Sequence, residues 1–134
     1  MSYDKLGTLP VYIKALELCK ISREIASFVT FNKDLLKLYQ SNSLRDIIAD
    51  SILTDSNLIH QKIALAETKG CHSEKVRSAA FINVMIRNII SYCNGLEMDG
   101  VKEKEYLNLL RQEVISFRKS FRAWRKSFRD NDNS

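Results

Sequence analysis

Leu107, Leu110, Val114, Phe117, Phe121, Trp124 and Phe128 follow one another at intervals of 3, 4, 3, 4, 3 and 4 residues. An α-helix turns once every ~3.6 residues, so that spacing brings all seven side chains to one edge. The pattern runs unbroken over three heptads and predicts a long helix packed lengthwise against other helices. Four glycines and one proline in 134 residues are too few for the turns of a β fold. Long helices with short connections are the alternative.

Three more helices read from the pattern. The first is expected over about 9–30, with Pro10 in its first turn, where a missing N–H costs nothing. Val11, Leu18, Ile21, Ile25, Phe28 and Val29 form one apolar stripe on it, and Tyr12, Ala15, Leu16, Cys19 and Ala26 a second. So wide an arc implies contact on more than one side, within a bundle and against another subunit. Residues 30–42 form a connection, with a helical turn expected over 34–39. Ser43-Leu-Arg-Asp46 resembles a capping box and opens a second helix over 43–69. Leu44, Ile47, Ile48, Ile52, Leu58, Ile59, Ile63 and Ala66 are its expected core, and Gly70 its stop. Ser73 is the expected cap of a third helix over 73–95 carrying Val76, Ala80, Phe81, Val84, Ile86, Ile89, Ile90 and Cys93, with Asn94-Gly95 and Gly100 marking the turn. The fourth runs over 101–129 and leaves a polar tail at 130–134. The expected architecture is all-α, an up-down-up-down antiparallel four-helix bundle forming one domain over 1–134.

Charge is distributed unevenly. Residues 116–129, SFRKSFRAWRKSFR, hold six of the 21 basic residues and no acid. The other 15 face all 16 acids, so the rest of the chain is nearly neutral and the formal charge of +5 belongs to this segment. On a helix, the four aromatics occupy one seam, and Arg118, Lys119, Arg122, Arg125, Lys126 and Arg129 cover the adjoining arc, with Arg111 on the same side. Ser116, Ser120, Ala123 and Ser127 line a third arc, suited either to close approach of a helix or to plain exposure. The rings are therefore assigned to packing, not to stacking on bases. Like charges at i, i+4 repel by a few tenths of a kcal/mol per pair, which a purely structural surface avoids by mixing signs. The strip thus points to a polyanion, and Arg forks suit phosphate oxygens.

Chemistry of other kinds has little to stand on. His60 and His72 are the only histidines, no C-x-x-C occurs, and inward Glu-x-x-His pairs of a di-iron bundle are missing. Asp46, Asp50 and Asp55 are expected to pair with Arg45, Arg77, Arg87 or the basic helix. No phosphate loop or nucleophile elbow is present. No enzyme, catalytic residue, metal or cofactor is expected. Cys19, Cys71 and Cys93 are odd in number and widely spaced, no apolar run has membrane-spanning length, and no signal-peptide pattern opens the chain. A cytoplasmic protein with no membrane role is expected.

Leu9–Leu18, LPVYIKALEL, resembles the opening of the four-helix-bundle family of intervening-sequence proteins, named for insertions in large-subunit ribosomal RNA genes. Ser43–Ile52, SLRDIIADSI, is similar to that family's second helix, with Ser51 where the family often has Gly. The long final helix and its ending FRAWRKSFR look closer to the branch of accessory variability determinants of diversity-generating retroelements. The resemblance implies a homo-oligomer, a pentamer of bundles, that binds RNA or DNA and partners a reverse transcriptase during mutagenic retrohoming. It carries over no catalytic residue. The residues themselves assign nucleic-acid binding to Arg111, Arg118, Lys119, Arg122, Arg125, Lys126 and Arg129. The alternative is a protein-interaction module whose basic helix docks an acidic protein.

Overall fold

The computed structural model describes residues 3–31, 37, 40 and 42–132, with side chains for 5–31, 37, 40 and 42–128. Among them a short helix, α1 (Tyr3–Leu6), precedes four long ones: α2 (Pro10–Val29), α3 (Leu44–Lys69), α4 (His72–Met98) and α5 (Lys104–Asp132). The long helices close a ring in which α2 and α4 each pack on both α3 and α5. Contacts between their ends fix the directions. Phe28, ending α2, lies against Tyr106, opening α5, and Arg45, opening α3, pairs with Asp99 just past α4. The architecture is the expected up-down-up-down four-helix bundle.

The heptad seam of α5 is its innermost line. All seven positions from Leu107 to Phe128 are buried, and Phe117, Phe121, Trp124 and Phe128 run ring against ring along it. Opposite them α3 and α4 contribute mainly isoleucine: Ile52, Ile59, Ile63, Ile82, Ile86 and Ile89 are fully enclosed. The stiff β-branched chains fit the spaces between the flat rings at interior packing density.

Sequence reading placed too much inside. Leu44 and Ile47 of α3 and Val76, Ala80, Phe81 and Val84 of α4 are exposed; Leu16 and Phe28, on the wide α2 arc expected to meet both the bundle and another subunit, are exposed on the single chain. A helix in a square bundle buries one arc of its circumference, and these residues lie on its flanks or outer face. The interior takes small polar residues instead: Ser22, Ser56 and Ser78 are buried where helices come close. The hydroxyl of Ser22 has no hydrogen-bond partner. Ser22→Ala is therefore expected to raise stability, by about 1 kcal/mol, because it removes a buried unpaired polar atom and improves helix propensity. A denaturant midpoint that falls would contradict that account.

Four helix boundaries also differ from expectation. Helix α4 starts two residues earlier than expected, with Cys71 and not Ser73 at the N-cap in extended conformation. Gly70, left-handed at φ 71°, turns the chain so tightly that the cap falls immediately after it. Asn94-Gly95 does not end α4, which continues to Met98. A Cβ on Gly95 would stand 3.1 Å from Ile48 Cδ1, so the glycine serves close approach of α3 rather than a turn. Helix α5 begins at Lys104, not Val101, whose side chain instead plugs the end of the core, and it extends to Asp132 through part of the expected tail. The turn expected over 34–39 lies, Lys37 apart, outside the described residues.

Candidate nucleic-acid interface

Helix α5 meets its two neighbours with chemically different flanks. On the α4 side Arg111 is the anchor. Its guanidinium donates to Asn94 Oδ1 at 2.8 Å and Glu97 Oε1 at 3.0 Å, both on α4, and to Asn108 Oδ1 at 2.9 Å. Arg118 and Arg125 follow at seven-residue steps, which return a helix to nearly the same bearing, with Arg122 between them. On the α2 side lie the small residues. Ser120, Ala123 and Ser127 line a groove of about 430 Å³ against Leu9, Pro10 and Val11. The small arc therefore faces this chain's own first long helix, leaving a shallow channel rather than a tight contact.

The seven assigned cations divide accordingly. Arg118 and Arg125 are half-buried on the α4 side, and Arg122 is exposed between them. Lys119 and Lys126 crown the outer face, with Lys119 reaching the rim of the α2 groove. Arg111 stands apart, because Glu97 already neutralises it and three hydrogen bonds hold it in place. Its first role is to lock α5 against α4. The side chain of Arg129 lies outside the described residues. None of Arg118, Lys119, Arg122, Arg125 and Lys126 forms an ion pair with a described residue.

Asp50, expected to answer a cation, forms no ion pair with a described residue, and the other two aspartates are engaged elsewhere. Asp55 accepts from Asn88 of α4 at 3.4 Å and lies by Tyr92; burial pushes its carboxyl above the usual aspartate range. Arg45 pairs with Asp99, and Arg77 with Glu74, rather than with the aspartates of α3. Asp46 is buried at the start of α3, where its N–H donates to Ser43 Oγ, as the capping-box reading anticipated. His60 bonds Asn57 and packs edge-on against Tyr12, and burial lowers its pKa.

One interaction beneath the strip had no sequence signal. The indole N–H of Trp124 donates to Glu67 Oε1 at 2.6 Å, and the Glu67 residue is only 7% exposed. Glu67 lies in the last turn of α3, two turns beyond His60, and from there its carboxylate reaches α5. The bond ties the last turn of α3 to the middle of the basic segment and so fixes which way the arginines face. The seam spacing could have shown that Trp124 points inward, but the residue reaching its N–H is 57 positions away.

A second concavity, about 780 Å³, sits at the opposite end of the bundle between Arg23, Phe28, Phe31, Arg45 and Lys102, with Glu24 and Glu103 also on its walls. Its mixed signs set it apart from the uniformly cationic strip. Among the described residues no three His, Cys, Asp or Glu side chains are grouped to hold a metal ion, and no helix is long and apolar enough to cross a membrane. No protein-family model, curated protein or solved structure matches the chain.

Proposed function

We propose that this is a non-enzymatic nucleic-acid-binding protein whose α5 strip contacts the phosphate backbone of RNA or DNA, largely without regard to sequence. One observation carries the reading. Five cations run along two and a half turns of one helix with no acid paired to them among the described residues and none between them in the sequence. Repulsion along such a strip is relieved by a polyanion, and phosphate oxygens accept well from Arg. Because Trp124 and the phenylalanines of α5 are buried, affinity rests on the backbone and not on bases.

An accessory role beside a reverse transcriptase in a diversity-generating retroelement, and assembly as a pentamer, rest on the resemblance of LPVYIKALEL, SLRDIIADSI and FRAWRKSFR to that branch. Ile13 and Leu16, exposed together on the outer face of α2, support self-association in general. A second reading has the strip dock an acidic protein, and the same charge pattern would serve it.

Salt-titrated fluorescence anisotropy separates the two. Binding to labelled RNA or DNA is expected to weaken steeply with salt, by about 0.9 in log K per log unit for each phosphate contacted on a duplex. Absence of nucleic-acid binding at low salt, together with binding to polyglutamate, would reject the proposal in favour of the protein partner.

A further inference from the structure

The cations of α5 do not stand on an isolated ridge. They form one wall of a valley, and α4 supplies the other. Arg111 fixes the register by bonding Asn94 and Glu97 across the interface. Arg118 lies seven residues beyond Arg111, and Arg87 lies seven residues before Asn94. The helices are antiparallel, so both steps advance about 10.5 Å in the same direction and keep nearly the same bearing. Arg87, exposed and without an ion pair among the described residues, therefore stands level with Arg118 on the facing wall. By the same rule, eleven-residue steps set Asn83 level with Arg122.

Two absences define what the valley suits. The only acids of α4 are Glu97, committed to Arg111, and Glu74, on the other flank with Arg77. Beyond the Arg111 anchor the described walls hold no carboxylate. Between Arg118 and Arg125 they also hold no exposed ring; the exposed imidazole of His72 lies beyond that stretch, edge-on to Phe128. Phe81 lies under Lys62 of α3, Tyr92 lies by Asp55 of α3, Tyr106 lies against Phe28 of α2, and the remaining aromatics of α5 are buried. Sites for single strands ordinarily supply aromatic platforms for unpaired bases. A duplex keeps its bases stacked on one another and offers only its backbone.

Resting on the reading of the strip as a nucleic-acid interface, we infer that the α4–α5 valley takes one backbone of double-stranded nucleic acid. Arg118, Arg122 and Arg125 hold it from one side, and Arg87 and Asn83 from the other. Asn83 adds neutral donors, and the lack of an exposed ring between Arg118 and Arg125 makes that stretch a poor one for unpaired bases.

The test uses the full chain, a short duplex and an unstructured oligouridylate with equal numbers of phosphates. The duplex is expected to bind about tenfold or more tightly. Arg87→Gln is expected to weaken duplex binding several-fold and to reduce the salt slope by about 1. Arg77→Gln makes the same charge change on the same helix but on the α3 flank, and is expected to leave both unchanged. Oligouridylate binding equal to or tighter than duplex binding would overturn the inference, as would an Arg87→Gln protein, folded by circular dichroism, indistinguishable from Arg77→Gln. In either case the interface on α5 itself would stand. Failure of the unaltered protein to bind either probe would overturn both.

Discussion

Trp124→Ala is expected to lower the melting temperature by about 10–20 °C. The ring is 5% exposed and sits between Phe121 and Phe128 in the seam, and truncating a buried Trp typically costs about 3–5 kcal/mol. The substitution also removes the indole donor from the largely buried Glu67 carboxylate, which adds a desolvation cost. For a domain of this size each kcal/mol corresponds to roughly 3–5 °C. Trp124→Phe separates the two contributions. It keeps most of the packing, loses the N–H, and should cost about 1–3 kcal/mol through the lost hydrogen bond to the Glu67 carboxylate. A Trp124→Ala protein melting within about 3 °C of the unaltered chain would show that neither the seam nor the Glu67 bond stabilises the bundle as described.

The seam was legible in the sequence because heptad spacing is a property of one helix alone. Leu107 to Phe128 fall on the core side whatever the neighbours are. The same reading failed for Phe81 and Val84, since an apolar residue on a flank looks identical in sequence to one in the core. Which flank is covered depends on the crossing of a second helix. Gly95 makes the same point. A glycine after Asn reads as a turn, but here its missing Cβ leaves room for Ile48, 47 positions earlier. The strip itself was visible as six cations without an acid, whereas its division was not. Arg111 left the group only because Glu97 and Asn94 reach it across the helix interface, and Arg87 joined only through the register those bonds set. Long-range pairings of this kind leave no local periodicity to read.

Replacing Arg118, Arg122 and Arg125 together with Gln should separate binding from folding more sharply than any single change. If each arginine contributes about 1 kcal/mol to phosphate binding, the triple variant loses roughly 100-fold in affinity at low salt, and its salt slope falls by about 3. Stability should move the other way. Arg122 is flanked at i−4 by Arg118 and at i+4 by Lys126, so neutralising the row relieves repulsion worth a few tenths of a kcal/mol per pair. Gln has nearly the helix propensity of Arg, which leaves α5 intact. The variant is therefore expected to melt at or slightly above the temperature of the unaltered protein while failing to bind. The paired change Lys119→Gln with Lys126→Gln, on the outer face, should cost less affinity because those ammoniums lie outside the valley. Affinity and slope unchanged in the triple variant would remove the arginine row from the interface. A large drop in its melting temperature would instead make the row a structural feature, with the stems of Arg118 and Arg125 covering the α4–α5 seam.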